Sequence, residues 1–370
     1  MDKRVVLAVF LLAIRVNGRY VYRGVKLFEC ESYDRQNCDQ IYPGEKHFLI
    51  QTGTKVISKD MFTNKSDLLS VIGTPADIED VQQGCFTGLK KLRRIYLGGQ
   101  RLQNIPYGVF NDLPVEYLYL AGNFLRTIET DAFDMKNLER MYLDRNYLTY
   151  FDPNWFAAGV LKSLKFLHMH HNRVRAINRK AFYKFPQLLV IDFSFNEVEY
   201  ISNDIFNHQA DINHFLLKHN KIKTLGTNIL KTVNYIDNLS LSYNFLKSIS
   251  CEFIDKTIIN KIEIHPNQWV CSCLKKFEQK LQEKNIEPHG GEDQSLLCYD
   301  TEKKCEESEK SMNMDFEISM NNTYENLEKH CQNNKDSEEG HLCRSDFCWP
   351  LLLRSYVHKT DENYFFCIYY

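Results

Sequence analysis

The sequence predicts an α/β solenoid, in which about nine repeated coils stack into a curved parallel sheet with a cysteine-bearing cap at each end. Two observations predict this class. An apolar pattern recurs every 23 to 26 residues through the middle of the chain, always with an asparagine at the same place. A second apolar pair recurs between these copies. A single coil cannot bury both patterns, so neighbouring coils must stack to stabilise one another.

The recurring pattern is apolar-x-x-apolar-x-apolar-x-x-Asn-x-apolar, which predicts a short strand with its apolar side chains turned inward. The copies run from "VEYLYLAGNFL" (115–125) to "IDNLSLSYNFL" (236–246). Their asparagines are Asn123, Asn146, Asn172, Asn196, Asn220 and Asn244. Where the chain turns out of each strand, enclosed backbone groups without partners would each cost roughly 1–3 kcal/mol. An asparagine amide both donates and accepts, so we predict that these side chains satisfy those groups.

The return limb of each coil is indicated by the second pattern, in which two apolar residues lie five positions apart, as in Ile177 with Phe182. The match to the repeat pattern weakens towards the N-terminal end, where Gln100 occupies the asparagine position. At its other end the repeat runs directly into "VCSC" (270–273). We therefore predict an N-terminal cap over 19–45, repeats over 46–264 and a C-terminal cysteine-rich cap over 265–306.

The N-terminus predicts export from the cell. A short basic start, ten apolar residues over 5–14 and small residues near position 18 are typical of a signal peptide, which we place over 1–18. The apolar run is well short of the roughly 20 residues that span a bilayer. Twelve cysteines suit the oxidising compartment that this implies. We therefore expect a secreted, extracellular protein without a membrane span.

The overall charge excludes one class of partner. The chain has 46 basic and 48 acidic residues, for a formal net charge of −2. Such a balance gives no indication of electrostatic binding to nucleic acid or to an anionic membrane. Three glycosylation sequons, at Asn64, Asn238 and Asn321, are consistent with secretion. Residues 307–370 form a charged tail that contains four further cysteines and whose fold the pattern does not predict.

The coils and the "NQWVCSC" segment resemble those of extracellular leucine-rich repeat proteins, and Cys30 with Cys38 resembles their N-terminal cap. The resemblance covers about residues 30 to 305. In that family the four cap cysteines pair first with third and second with fourth. Here this implies the disulfides Cys271–Cys298 and Cys273–Cys305, whereas spacing alone leaves three connectivities open.

The order of signal peptide, cysteine cap, repeats and cysteine-bearing tail is similar to that of insect secreted leucine-rich repeat proteins, including the leucine-rich immune proteins. This resemblance implies innate immune recognition, through binding of a defence protein or a microbial, glycan-bearing surface. It also implies disulfide-linked homo- or heterodimers. It implies no cofactor.

The concave face is the predicted binding surface, because side chains between the apolar strand positions point outward and form columns along the stack. One column contains three tyrosines, and tyrosine and arginine are enriched in interface hot spots. We predict that this face binds a protein or a glycan-bearing surface. The candidate residues are Tyr96, Tyr119, Tyr142, Arg145, His168, His170 and Asp192.

The histidine-rich stretch "LHMHHNRV" (167–174) raises the question of a metal site. The repeat assigns Leu167 and Met169 to the core and places the histidines on the face. Zinc would need three or four converging ligands at about 2.1 Å. A flat sheet face is expected to keep His168, His170 and the neighbouring aspartates apart, so we predict solvated histidines and no metal. A pH-sensitive contact is the other alternative.

Two functions of different class remain. The leading interpretation is a secreted, non-enzymatic binding protein. The alternative is a structural protein of the extracellular matrix or of cell adhesion, assembled through the cysteine-rich tail. An enzyme is not predicted, because the sequence contains no nucleophile motif and no closed set of ligands.

Overall fold

A computed structural model describes residues 14–16, 19–21, 46–73, 77–157, 159, 161–206, 211–289 and 298–299. Most of the predicted signal peptide and most of the predicted N-terminal cap, including Cys30 and Cys38, lie outside these residues, as does the tail over 307–370. Cys305 and Asn321 lie outside them as well. Among the residues described, no helix has both the length and the apolar composition to cross a membrane.

One parallel sheet of eleven strands forms the concave side of the solenoid, and its strands follow one another in chain order. Ten strands belong to the repeats, so nine turns connect them, as the sequence predicts; the eleventh comes from the C-terminal cap. The strands are β1 (His47–Ile50), β2 (Ser70–Gly73), β3 (Arg94–Tyr96), β4 (Tyr117–Tyr119), β5 (Arg140–Tyr142), β6 (Phe166–His168), β7 (Val190–Asp192), β8 (Asp211–Leu216), β9 (Tyr235–Ser240), β10 (Ile258–Glu263) and β11 (Glu287–His289).

The return limbs contain turns, two short 3-10 helices and several two-residue strands. The 3-10 helices are Pro153–Trp155 and Cys251–Ile254. The parallel pairs are Val56–Ile57 with Asp80–Val81, Asn104–Ile105 with Thr127–Ile128, Phe110–Asn111 with Phe133–Asp134, and Ala176–Ile177 with Tyr200–Ile201. Near the N-terminus, Ile14–Val16 pairs antiparallel with Arg19–Val21.

The main apolar cluster of the core runs the length of the stack. The predicted inward residues of adjacent strands lie side by side, for example Leu118 beside Met141 and Leu167 beside Ile191. The return limbs add a row of stacked phenylalanines, in which the ring centroids of Phe86 and Phe110 are 5.5 Å apart. Each coil therefore buries its apolar groups against the coils on either side, as the repeat predicts.

The repeat asparagines form a ladder of buried side chains. The Oδ1 atom of Asn172 accepts from the backbone N–H of Leu148 at 3.0 Å, and its Nδ2 atom donates to the carbonyls of Leu143 at 2.9 Å and Met169 at 3.0 Å. Each side chain thus joins its own coil to the preceding one, which confirms the predicted role. The same three contacts recur at Asn123, Asn146, Asn196, Asn220, Asn244 and Asn267.

The C-terminal cap covers the end of the apolar stack. Helix α1 (Cys271–Glu283) buries Leu274, Phe277 and Leu281 against it. The Cys271–Cys298 disulfide is formed, as the family resemblance implies. Cys273 is disulfide-bonded too, and its predicted partner Cys305 lies outside the residues described.

Cys85 is a buried structural residue. It is 1% exposed and occupies the coil position that alanine fills elsewhere, as at Ala132. Burial raises the pKa of its thiol to about 12. Because the thiolate is the reactive form, we expect iodoacetamide at pH 8 to modify Cys85 only after unfolding. Peptide mass spectrometry after labelling of native and urea-unfolded protein checks this. Equal labelling rates in the two states would contradict it.

Candidate binding face

The predicted tyrosine column is a continuous stack of rings on the sheet. The strand register places Tyr96, Tyr119, Tyr142 and His168 opposite one another. Successive ring centroids are 4.6, 4.3 and 4.7 Å apart, and the rings are nearly parallel. The column thus has the geometry that the repeat predicts.

The middle of this column is more enclosed than the sequence suggests. Tyr142 is only 8% exposed, whereas Tyr96 and Tyr119 are half-buried. Nearby, the Arg140 guanidinium lies 3.9 Å from the centre of the Phe166 ring. Burial raises the pKa of Tyr142 and of Tyr119, so both remain neutral phenols. The tyrosine stack therefore offers a partner mainly its N-terminal members.

His168, His170 and Asp192 converge, contrary to the flat face that the sequence analysis assumed. One ligand atom from each of these three residues lies within 4.8 Å of the other two. Strand β6 places His168 directly beside Asp192 of β7. The concave side of a curved sheet brings the side chains of neighbouring strands towards each other, and this accounts for the difference.

The two histidines are also not solvated as predicted. Burial lowers the pKa of His168 to about 4 and that of His170 to about 3. Both imidazoles are therefore neutral between pH 5 and 8, which argues against the pH-sensitive contact considered for them.

Asp144 is fully buried beside His170, although the repeat places it in an outward column. Its Oδ2 atom lies 3.5 Å from His170 Nε2. Neither of its carboxylate oxygens has a hydrogen-bond partner among the residues described. Burial raises the pKa of Asp144 to about 7.

A second row of rings, which we call the rim ladder, consists of His171, Phe195, His219 and Tyr243. Each precedes a ladder asparagine, and each has a left-handed backbone with φ between 54° and 56°. Successive ring centroids are 4.4, 4.3 and 4.1 Å apart. Phe195 is 38% and Tyr243 52% exposed, so this row presents more aromatic surface than the tyrosine stack.

The rim ladder occupies a backbone position that glycine fills in earlier coils. Gly99 and Gly122 hold the same place with φ of 67° and 68°. A bulky residue in this conformation costs roughly 1–2 kcal/mol, a strain that glycine avoids. Arg145, a predicted site residue, also lies here, exposed and with φ of 55°. The later coils thus carry large side chains in spite of the backbone strain.

Phe195, His219 and Tyr243 are not among the predicted site residues. The signal that identifies them is the position immediately before each repeat asparagine, where ring-bearing residues occur in four successive coils.

Two predicted glycosylation sites lie within the described part of the chain. Asn64 is exposed in a return limb. Asn238 lies on the concave sheet, half-buried, between His214 and Lys261 of the adjacent strands. A glycan at Asn238 would restrict access to the C-terminal coils of the concave face.

Comparison with known families identifies the repeat. The family model described as Leucine rich repeat matches residues 114–174 and 162–222. These matches cover the coils that contain Asn123, Asn146, Asn172, Asn196 and Asn220. The fold is a leucine-rich repeat solenoid.

Among solved structures, a chain of the LRIM1/APL1C complex resembles this leucine-rich repeat solenoid with a TM-score of 0.51. The sequences are 15% identical, and the match covers 85% of this chain and 63% of that chain. At this level of identity the similarity concerns the fold. No curated protein sequence matches the chain.

Within the leucine-rich repeat solenoid, the seven predicted face residues fall into three groups. Tyr96, Tyr119, Tyr142 and His168 share one stack. His168 also joins His170 and Asp192 in the converging cluster. Arg145 lies apart from these side chains, in the row that continues as the rim ladder.

Proposed function

We propose that the chain is a secreted, non-enzymatic binding protein that engages a protein or a glycan-bearing surface through its concave face and rim ladder. The observation that carries this proposal is the rim ladder itself. Four stacked rings cross four coils, a span of roughly 14 Å at about 4.8 Å per strand. Two of these rings are exposed although their backbone conformation is strained. Strain of this kind is found where function requires it.

The chemistry of the ladder suits recognition of a protein or sugar. Aromatic rings bury a large area for little loss of side-chain entropy, and tyrosine and histidine add polar groups at the ring edge. Arg145 lies in the same row of positions, next to His171 along the stack. Because each ring is held by its stacked neighbours, little further ordering is needed on binding.

The comparisons support a protein partner. Solenoids of this class present extended concave surfaces for binding. The similar solved chain comes from a complex, LRIM1/APL1C. By this analogy we propose that the chain pairs with another protein, and that its role is innate immune recognition. The Cys271–Cys298 disulfide supports an extracellular location.

Replacing Phe195 and Tyr243 together with alanine is expected to weaken partner binding at least tenfold, because hot-spot aromatics each contribute about 2 kcal/mol or more. The partner is first captured from extracellular fluid of the source organism with the wild-type chain. Its affinity for each variant is then measured by calorimetry.

Tyr107→Ala is the matched control for this experiment. Tyr107 is 52% exposed, as Tyr243 is, but it lies on a return limb. Its replacement is expected to change the affinity less than twofold. Equal effects of the two kinds of variant, or none from the double variant, would contradict binding at the rim ladder.

Non-reducing electrophoresis of the secreted protein separates this proposal from the matrix alternative. Monomers or discrete dimers are expected for a soluble binding protein. A series of high multimers that collapses on reduction would instead support assembly through the cysteine-rich tail.

A further inference from the structure

We infer that His168, His170 and Asp192 form a binding site for one divalent transition-metal ion of the zinc class, beside the buried carboxylate of Asp144. The site lies on the concave face, near the middle of the stack. It stands on the arrangement of these four side chains and does not depend on the proposed binding of a protein partner.

The strand geometry brings the three ligands together. His168 and His170 are two residues apart, so both project from the same face. Asp192 lies beside His168 on the next strand. Their nearest ligand atoms are all within 4.8 Å of one another. Tetrahedral zinc, with bonds of about 2.1 Å, needs ligand atoms roughly 3.4 Å apart. Binding would therefore shorten these separations by at most about 1.4 Å.

Asp144 is an independent indication of a cation. It is fully buried, yet neither carboxylate oxygen has a hydrogen-bond partner among the residues described. Buried carboxylates are normally paired or bound to a metal, because an isolated buried charge is costly. Its Oδ2 atom is 3.5 Å from His170 Nε2, so this carboxylate lies beside the three ligands.

Groups around the cluster hold the ligands in suitable orientations. The backbone N–H of Ser194 donates to Asp192 Oδ1 at 2.9 Å, which leaves Oδ2 for an ion. His170 Nδ1 lies 2.9 Å from His171 Nδ1. When the proton of this contact is on His170 Nδ1, His170 Nε2 is unprotonated and its lone pair faces Asp144. Outer contacts of this kind fix the tautomer and orientation of metal ligands.

The ligand set selects the class of ion. Two imidazoles and one carboxylate, with a fourth position left for water, suit zinc and related first-row ions. Calcium prefers six to eight oxygen ligands, which the cluster does not supply. The carboxylates of Asp192 and Asp144 together would also neutralise the charge of a divalent ion, so that the enclosed site carries no net charge.

The test is titration of the oxidised, chelator-treated full chain with ZnCl₂ by calorimetry, and with CoCl₂ by visible absorption. We expect one ion per chain and the visible bands of a four-coordinate cobalt site. His170→Ala and Asp192→Asn are each expected to weaken zinc binding at least tenfold. Asp144→Asn should also weaken it, by roughly 10-fold to 100-fold.

His219→Ala is the matched control, because His219 is a half-buried histidine of the rim ladder outside the cluster. It should bind zinc as the wild type does. Asp144→Asn keeps the side-chain volume and removes a buried charge, so it is expected to fold even if His170→Ala does not; circular dichroism checks this. Stoichiometric binding that survives both Asp144→Asn and Asp192→Asn, or no binding by the folded wild type, would overturn the inference.

Discussion

Replacing Asn172 with alanine is expected to lower the free energy of unfolding by about 3–5 kcal/mol. The substitution removes the acceptor for Leu148 N–H and the donors for the carbonyls of Leu143 and Met169. These are enclosed backbone groups, and each costs roughly 1–3 kcal/mol when it loses its partner. Urea unfolding followed by circular dichroism measures the change.

Two further variants test the donor groups of Asn172 and provide a control. Asn172→Asp keeps the acceptor but loses the donors and places negative charge beside two carbonyl oxygens, so we expect it to destabilise at least as much as alanine. Asn234→Ala is the control, because Asn234 is exposed, and such surface changes are usually within about 0.5 kcal/mol. A loss below about 1 kcal/mol for Asn172→Ala would show that the ladder contributes little to stability.

Replacing Phe182 with alanine is expected to cost about 3–5 kcal/mol, the range measured for buried phenylalanines. Its ring is fully buried, stacks on Phe206 at 5.3 Å between centroids, and lies 5.9 Å from Phe151. The cavity would separate neighbouring coils in the middle of the stack. Thermal and urea unfolding measure the loss.

The position of Phe182 predicts a second effect. Coils contact only their neighbours, so a weakened interface reduces the coupling between the two halves of the array. We expect hydrogen exchange near Phe182 to accelerate before exchange in the N-terminal coils. Phe245→Ala is the control, since Phe245 is 39% exposed. Uniform acceleration along the chain, or equal losses from the two variants, would contradict this account.

The sequence predicts the coils because their period is imposed by stacking. An asparagine such as Asn196 must recur at one point of each coil, where enclosed backbone groups need a donor and an acceptor together. The cap helix is equally predictable, because Leu274, Phe277 and Leu281 lie on one helical face. In both cases the constraint is local and visible in the sequence pattern.

The site is less predictable, because it depends on curvature and on neighbouring volumes. Tyr142 and Asp144 are assigned correctly to outward positions, but the pattern does not show that the bend of the sheet encloses them. The convergence of His170 on Asp192 has the same origin. The repeat marks the positions of the rim ladder, immediately before each asparagine, but the stacking of its rings depends on the left-handed backbone, which no apolar pattern reveals.

The left-handed position before each ladder asparagine is a point at which the side chains of this surface can vary. From the third repeat strand onwards, seven successive coils hold glycine twice, arginine once, histidine twice, phenylalanine once and tyrosine once at this point, with closely similar φ angles. The coil therefore tolerates very different side chains there, because the hydrogen bonds that hold adjacent coils together come from the residue that follows, usually the repeat asparagine. Substitutions at this position can therefore change binding specificity one coil at a time without altering the fold.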